Sequence, residues 1–297
     1  MAEHAHHHHH HHHHGHAGGA LKAAAALTIA FAVVEALGGW WTGSLALLSD
    51  AGHMATDGAA LVLGAIAAWM ARLPPSERHS YGLGRAEIIA ALLNAGAMLV
   101  IIAALSYEAI ARLGQPGAVN GAAAMVIALV GLAINLAIMR WLAPHGHDLN
   151  MRAARLHVAG DALGSIAALV SGGIVALTGW TRADPIASLL ICVLIAVSSV
   201  RLLRESLHAL MEGVPHGLSV ESIGTEMASV GGVLSVHDLH VWMLSGSRTA
   251  LSAHVVVQSM THWDRTRGEL QVRLHDRFGI DHVTLQPESG VQPLVRR

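Results

Sequence analysis

The feature that most constrains this chain is a series of six apolar stretches, each close to the length at which a helix crosses a lipid bilayer. A spanning helix needs about 20 residues. Charged residues make up only 13% of the chain, whereas soluble domains average about 25%. The sequence therefore predicts an α-helical membrane protein with six transmembrane helices. The stretches cover residues 21–41, 45–71, 86–112, 121–142, 154–180 and 185–206.

The composition changes after about residue 208, where the long apolar runs stop. A glycine at position 279 ends a charged amphipathic segment, as is typical of a helix C-cap. The predicted elements are a helix at 218–230, strands at 233–244 and 250–257, a helix at 263–278 and a strand at 283–285. This order predicts a small α+β domain. The predicted parts are a disordered histidine-rich tail (1–20), a membrane domain (21–207) and the α+β domain (208–297).

The distribution of lysine and arginine predicts the orientation in the membrane, because cytoplasmic loops carry an excess of these residues. One side of the predicted bundle has only Arg112 and Arg182. The other side has Lys22, Arg72, Arg78, Arg85, Arg140, Arg152, Arg155, Arg201 and Arg204. We therefore expect both termini and the α+β domain to lie in the cytoplasm.

Two predicted spans each carry a histidine and an aspartate four residues apart, namely His53 with Asp57 and His157 with Asp161. This spacing puts both side chains on one face of a helix. An ionisable group at the bilayer centre costs roughly 2.5–3.5 kcal/mol, so its presence indicates a function. The two pairs supply four ligands, the number that a tetrahedral zinc site requires. Polar contacts that join helices are the weaker alternative, because two matched pairs are present.

The chemistry of these four residues indicates the metal and the counter-ion. Imidazole suits zinc, cobalt, nickel and copper, whereas an all-carboxylate site suits magnesium or manganese. Two carboxylates also balance the charge of a divalent cation. Metal binding requires deprotonated ligands and so releases protons, and histidine titrates near neutral pH. The set favours zinc exchanged for protons, with cadmium and cobalt as open alternatives.

Other polar residues in the predicted spans keep more than one interpretation. Asp50 lies three residues before His53, where it either supports the ligands or makes a structural hydrogen bond. Glu35 either lines a water-filled path or pairs with a neighbour. Asn94 and Asn135 are predicted to bridge helices.

Five motifs together resemble the cation diffusion facilitator family, in particular its zinc-exporting branch. They lie at 42–57, 79–87, 157–161, 184–188 and 204–215, and the resemblance covers residues 20–290. It implies a homodimer in a bacterial inner membrane that exports cytoplasmic zinc in exchange for external protons by alternating access. It also implies that six spans are followed by a ferredoxin-like, metallochaperone-like cytoplasmic domain.

The resemblance implies further features in the loop after the second span, and the sequence departs from one of them. Some relatives hold a second metal there with an aspartate and two histidines. Here His79 matches one histidine, while Leu83 and Ser76 occupy the other two positions, so that site is predicted to be absent or degraded. His79 is then either an interfacial residue or a ligand. A charge pair between membrane and cytoplasmic parts is also implied, with Arg85 and Glu212 as candidates.

In the C-terminal domain the resemblance implies a zinc site at His237, His254 and His282. The first two would lie on adjacent strands, and the third begins the last strand. Glu288 would complete the shell, within one chain or across the dimer. Weaker candidates are His240, His262 and His275. Such an ion would be structural or regulatory rather than transported.

Other classes of function are disfavoured. The net charge of −2 argues against nucleic-acid binding, and a lone cysteine, Cys192, allows no disulfide within the chain. A zinc protease of the HExxH type needs a glutamate directly after its first histidine, but Met54 and Val158 stand there, so we predict no enzyme. A membrane-anchored metal sensor or storage protein has no need of ionisable pairs at the bilayer centre.

The histidines between positions 4 and 16 form a low-complexity tract that binds metal by its composition. The tract is either native or a purification tag, and we rest no mechanism on it. Together with His145 and His147, it is a candidate for cytoplasmic metal capture.

Overall fold

The computed structural model describes residues 14–142, 149–246 and 248–290, with the side chains of 26–141, 157–246 and 248–290. Residues 1–13, His145 and His147 lie outside the described residues, so the predictions made for them stay predictions. Six long helices come first. They are α1 (His14–Thr42), α2 (Leu45–Ala71), α3 (Ala86–Gly114), α4 (Gly121–Leu142), α5 (Leu149–Thr178) and α6 (Ala183–Leu210).

The helices have the length and surface of membrane spans. Within the described residues, five of them are long and apolar enough to cross a bilayer, and α1 contributes a shorter apolar helix, Ala26–Thr42. Exposed tryptophans lie at helix ends, where the membrane meets water. They are Trp40, Trp41, Trp69, Trp141 and Trp180. The chain is thus a multi-pass membrane protein, as its apolar stretches predict.

The chain forms two compact units, Met1–Ala59 with Ala97–Ser199 and Ala60–Gly96 with Val200–Arg297. In the first unit α4 packs along α5, and α1 packs along α4. Glycine makes the α4–α5 approach close, because a Cβ atom on Gly172 would lie 2.8 Å from the backbone nitrogen of Met125.

The start of α2 is fixed within this unit by a carboxylate from α6. Asp184 is buried and accepts hydrogen bonds from Ser44 Oγ at 2.5 Å and from the backbone N–H of Leu45 at 2.6 Å. The first N–H groups of a helix have no partner inside the helix, so a carboxylate placed there is favourable. Arg112 donates to the carbonyl oxygen of Gly43 at 2.7 Å in the same turn. These contacts set the position from which α2 carries its histidine and aspartate.

The second unit contains the α+β domain, with α7 (Val220–Ala228), β1 (Val233–Ser245), β2 (Arg248–Val257), α8 (Trp263–Phe278) and β3 (His282–Ser289). The sheet order is β1-β2-β3, with β2 antiparallel to β1 and parallel to β3. Its core includes Ile223, Met227, Leu251, Val255, Leu270, Leu274 and Ile280. The predicted element order is confirmed, and Gly279 has a φ of 65° as the C-cap of α8.

The last strand is longer than the stretch 283–285 that the sequence predicts. Its second half contains Gln286, Pro287 and Glu288, which lack the apolar signal of a strand. These residues nevertheless pair in parallel with His254, Val255 and Val256 of β2. Pairing with a buried neighbour strand therefore decides the structure here, against local preference.

Candidate metal centre

Four side chains from α2 and α5 form a ring in which imidazole nitrogens and carboxylate oxygens alternate. His53 Nδ1 lies 3.2 Å from Asp57 Oδ2, and His53 Nε2 lies 3.6 Å from Asp161 Oδ1. His157 Nε2 lies 3.5 Å from Asp57 Oδ2 and 3.9 Å from Asp161 Oδ2. The structure thus brings together the four residues that their spacing singles out.

The ligand atoms of this ring lie close enough together to surround a zinc ion, whose bonds to nitrogen and oxygen are about 2.0–2.2 Å long. The four nitrogen–oxygen contacts are 3.2–3.9 Å. They use both nitrogens of His53 and both oxygens of Asp161, and an ion would be bound through only one nitrogen of His53. One ligand atom each from His53, Asp57 and Asp161 lies within 4.8 Å of the others, and His157 contacts both aspartates.

Several buried atoms of the ring make no hydrogen bond with any of the described residues. They are His53 Nδ1, Asp57 Oδ2 and both carboxylate oxygens of Asp161. Buried polar groups are nearly always paired, because each unpaired one costs about 1–3 kcal/mol. A divalent cation in the ring would supply the partner that the described residues do not.

The ring is open on one side. The Asp161 side chain is 1% exposed, whereas that of His157 is 47% exposed. His157 is therefore the most exposed residue of the ring, and Asp161 is the least exposed.

Asp50 lies outside the ring. Its side chain is buried, and its Oδ2 accepts a hydrogen bond from Ser165 Oγ at 3.1 Å. Of the two interpretations of Asp50, this contact favours the structural hydrogen bond. Asn135 Nδ2 donates to the same Ser165 hydroxyl at 3.3 Å, so the prediction that Asn135 bridges helices is confirmed, here between α4 and α5. Glu35 is buried in α1, and no described residue makes a hydrogen bond with its carboxylate.

A second group of ligand types lies on the sheet of the α+β domain. Glu288 on β3 contacts His237 Nε2 at 3.0 Å and His254 Nδ1 at 2.7 Å. The two histidines are register partners on β1 and β2, and the three side chains each offer a ligand atom within a 4.8 Å group. A bulge follows His237, where the strand register shifts and Asp238 has a φ of 48°.

The electrostatics of this group couple the three side chains. The hydrogen bond to Glu288 raises the pKa of His237, with a smaller contribution from Asp238. Hydrogen bonds from His254 and then His237 lower the pKa of Glu288. The charged pair of His237 and Glu288 is therefore favoured while no metal is bound.

His282 is placed differently from the expectation that it joins His237 and His254. It pairs with Ala250 at the start of β3, whereas His254 pairs with Gln286 four residues further along. Four residues of a strand span about 13 Å, so parallel register keeps His282 away from the group. Glu288, predicted only to complete the shell, takes the third position. The ring of His282 instead lies 5.6 Å from that of Tyr81, centroid to centroid.

The other predicted residues of this unit are spread over several contacts. Arg85 Nη2 lies 3.1 Å from Glu212 Oε1, so the predicted charge pair is confirmed. His79 is exposed and forms a tight backbone bridge with Ser76, and it lines a cavity of about 1050 Å³ together with His240. His275 Nδ1 contacts Asp281 Oδ1 at 2.6 Å.

Comparison with known families agrees with this arrangement. Residues 21–211 match the family model described as the cation efflux transmembrane domain. Residues 215–290 match the model described as the cytoplasmic domain of cation efflux proteins. The chain belongs to the cation diffusion facilitator family. As a member of that family it is a transporter rather than an enzyme.

Two transporters and one solved domain are similar to this cation diffusion facilitator. The zinc transporter ZitB of Escherichia coli (strain K12) is 42% identical, over 88% of this chain and 84% of that protein. The "Cadmium, cobalt and zinc/H(+)-K(+) antiporter" of Bacillus subtilis (strain 168) is 36% identical, over 87% of this chain and 85% of that protein. The solved metal-bound C-terminal domain of the CzcD transporter from Cuprividus metallidurans is 33% identical, over 24% of this chain and 99% of that chain, with a TM-score of 0.23.

Proposed function

We propose that this cation diffusion facilitator exports zinc from the cytoplasm in exchange for external protons, by alternating access. The observation that carries the proposal is the ring of alternating nitrogens and oxygens, 3.2–3.9 Å apart, from His53, Asp57, His157 and Asp161. Two imidazoles with two carboxylates favour zinc over the harder magnesium. The name of the 42% identical E. coli relative, a zinc transporter, supports the same metal.

The ring explains how zinc and protons compete for one place. Two carboxylates neutralise the charge of Zn²⁺, which offsets most of the penalty of a charge in the membrane. Each imidazole needs a free nitrogen lone pair to bind zinc, so protons leave the ring as zinc enters. When the ring faces the external side, protons compete for the same atoms and zinc leaves.

The surrounding architecture follows from the same proposal. Both termini lie in the cytoplasm, residues 21–207 form the membrane domain, and residues 208–297 form the cytoplasmic domain. The protein acts as a homodimer in a bacterial inner membrane, which is supported by a match of residues 215–290 to a family model named for a dimer.

A resident zinc ion of the cytoplasmic domain would be held by His237, His254 and Glu288. Their donor atoms fit such an ion, since two imidazoles and a carboxylate lie within a 4.8 Å group. The ion would tie β1, β2 and β3 together at one face of the sheet. His237 must lose its proton to take part, so its hydrogen bond to Glu288 is replaced when the site fills.

The deciding experiment measures proton-driven zinc uptake into inverted vesicles that contain the full chain. Asp57→Ala and His157→Ala should each abolish uptake, because each removes one of four ligands. His262→Ala and Glu108→Gln are matched controls from outside the ring and should transport normally. Full transport by both ring variants would refute the mid-membrane site.

A cadmium- or cobalt-preferring exporter is the second candidate, favoured by the name of the 36% identical B. subtilis relative. Cadmium is softer than zinc and prefers sulfur ligands, and the ring has none, so zinc should compete better than cadmium. Competition between the three metals in proteoliposomes with an imposed pH gradient distinguishes the two candidates.

A further inference from the structure

Two buried carboxylates beside the ring are not used by the exchange of zinc described above. Glu35 on α1 and Asp50 on α2 are both 0% exposed. Within the described residues, neither oxygen of Glu35 has a hydrogen-bond partner, and Asp50 Oδ1 has none either. An ionised carboxylate without a partner is strongly disfavoured away from water. These groups therefore require a cation.

Glycines on the facing helices provide the space for both carboxylates. A Cβ atom on Gly131 of α4 would lie 2.8 Å from Glu35 Oε1. A Cβ atom on Gly164 of α5 would overlap the carboxylate of Asp50. Each carboxylate thus fits against backbone at a position where any other residue would displace it.

Polar side chains connect the surroundings of Glu35 and Asp50 to each other and to the zinc ring. Asn135 follows Gly131 by one turn of α4 and donates to Ser165, which donates in turn to Asp50. Ser165 also follows the ring residue Asp161 by one turn of α5. The carbonyl oxygen of Asn135 is buried and has no partner among the described residues. The site is therefore continuous with the ring and made of oxygen donors.

The titratable groups that face this site come from few elements. Asp161 is the titratable neighbour on α5, and His53 and Asp57 follow Asp50 on α2. α4 contributes an amide, and its one titratable residue, Arg140, lies near its end. On the remaining helices of the unit, Glu108 contacts Arg112, and Asp184 contacts Ser44.

We infer that Glu35 and Asp50 form a separate counter-ion site that binds a proton, linked by charge to zinc in the ring. The inference rests on the proposed exchange of zinc for protons. A cation in the ring favours the ionised form of nearby carboxylates, so zinc entry releases the proton, and proton binding weakens zinc binding by the same factor. A proton needs one oxygen, whereas a potassium site replaces a whole hydration shell. Only four unpartnered oxygens, from Glu35, Asp50 and Asn135, are available among the described residues.

The test compares two modes of transport by the full chain in proteoliposomes. Net zinc uptake is driven by a pH gradient, whereas exchange of labelled for unlabelled zinc at equal pH moves no net protons. Glu35→Gln and Asp50→Asn keep the shape of the side chains but carry no exchangeable acid. Each should lower net uptake by about tenfold or more and leave zinc exchange within about threefold of the wild type. Ser171→Ala, a buried polar residue elsewhere on α5, is the matched control and should retain both modes.

The other outcomes overturn the inference. Loss of both modes in Glu35→Gln and Asp50→Asn would make the pair structural, and retention of both would remove it from coupling. Uptake that follows a potassium gradient in the wild type, and stops doing so in these variants, would replace the proton by potassium. If the wild type does not respond to a pH gradient, the proposed function fails and this inference with it. If the wild type responds to a pH gradient and the variants respond equally, the proposed function stands and this inference alone fails.

Discussion

Replacing Asp184 with alanine should loosen the start of α2, the helix that carries His53 and Asp57. The carboxylate accepts two short hydrogen bonds, from Ser44 Oγ at 2.5 Å and Leu45 N at 2.6 Å. Hydrogen bonds to charged groups contribute about 1.5–3 kcal/mol each. Asp184→Ala should therefore lower the free energy of unfolding by about 3–6 kcal/mol. Asp184→Asn keeps one acceptor oxygen and should lose about half as much.

Thermal unfolding of the full chain in detergent micelles measures this order. Asp184→Ala should melt lowest, Asp184→Asn should be intermediate, and Ser198→Ala should match the wild type. Ser198 is a suitable control because it lies on the same helix and its hydroxyl donates to Ile195 O within that helix, one turn back. Zinc affinity should fall in the same order, because His53 follows the cap by two and a half turns of α2. Equal melting temperatures for Asp184→Ala and Ser198→Ala would refute the reasoning.

The remaining predictions concern the second unit. Zinc binding by the α+β domain is measured in a chain that carries Asp57→Asn and His157→Ala, which remove ligands from the ring. In this chain, Glu288→Gln should weaken zinc binding about tenfold or more, whereas His282→Ala should leave it unchanged. The reverse order of effects would restore His282 as the ligand. Zinc titrations of the same chain should tighten as pH rises through the raised pKa of His237, by about tenfold per pH unit below it. Without metal, the contribution of His237 to stability is present below pH 6.5 and declines as the pH rises through its raised pKa. The contribution of Glu288 to stability is present above pH 4.5 and declines as the pH falls through its lowered pKa. Arg85→Glu should reduce transport and Arg85→Glu with Glu212→Arg should restore it, while the free energy of unfolding changes by less than about 1 kcal/mol, because the pair is exposed.

The spans could be predicted from the sequence because apolar length is a local property. The predicted start of α2, at 45, agrees with Leu45–Ala71, and the predicted start of α3, at 86, agrees with Ala86–Gly114. Helix α8 agrees at both ends, since Gly279 marks its end by the same local rule. The sequence predicts β3 too short because its pairing partner, β2, is remote in the sequence.

The two candidate metal sites differ in the same way. Spacing of four residues determines which side chains share a helix face, so His157 and Asp161 could be predicted to act together. Register between parallel strands is set by the whole sheet, and no local signal places Glu288 rather than His282 beside His254. The available clue is that Glu288 follows Gln286, the register partner of His254, by two residues. This clue can be used only when the strand register is already known.

Charge balance explains why the assignment of Glu35 and Asp50 needed the structure. Spacing can place a carboxylate on a helix face, but it cannot count how many carboxylates one cation must neutralise. With Asp57 and Asp161 there are four carboxylates in the first unit close to one ring, and zinc balances only two of them. The ring histidines add no charge while they bind zinc. The remaining pair, Glu35 and Asp50, therefore needs a counter-ion of its own, and it needs one most when the ring holds no zinc, because a nearby zinc ion favours the ionised carboxylates. Ser165, which donates to Asp50, lies one helical turn from Asp161 on α5.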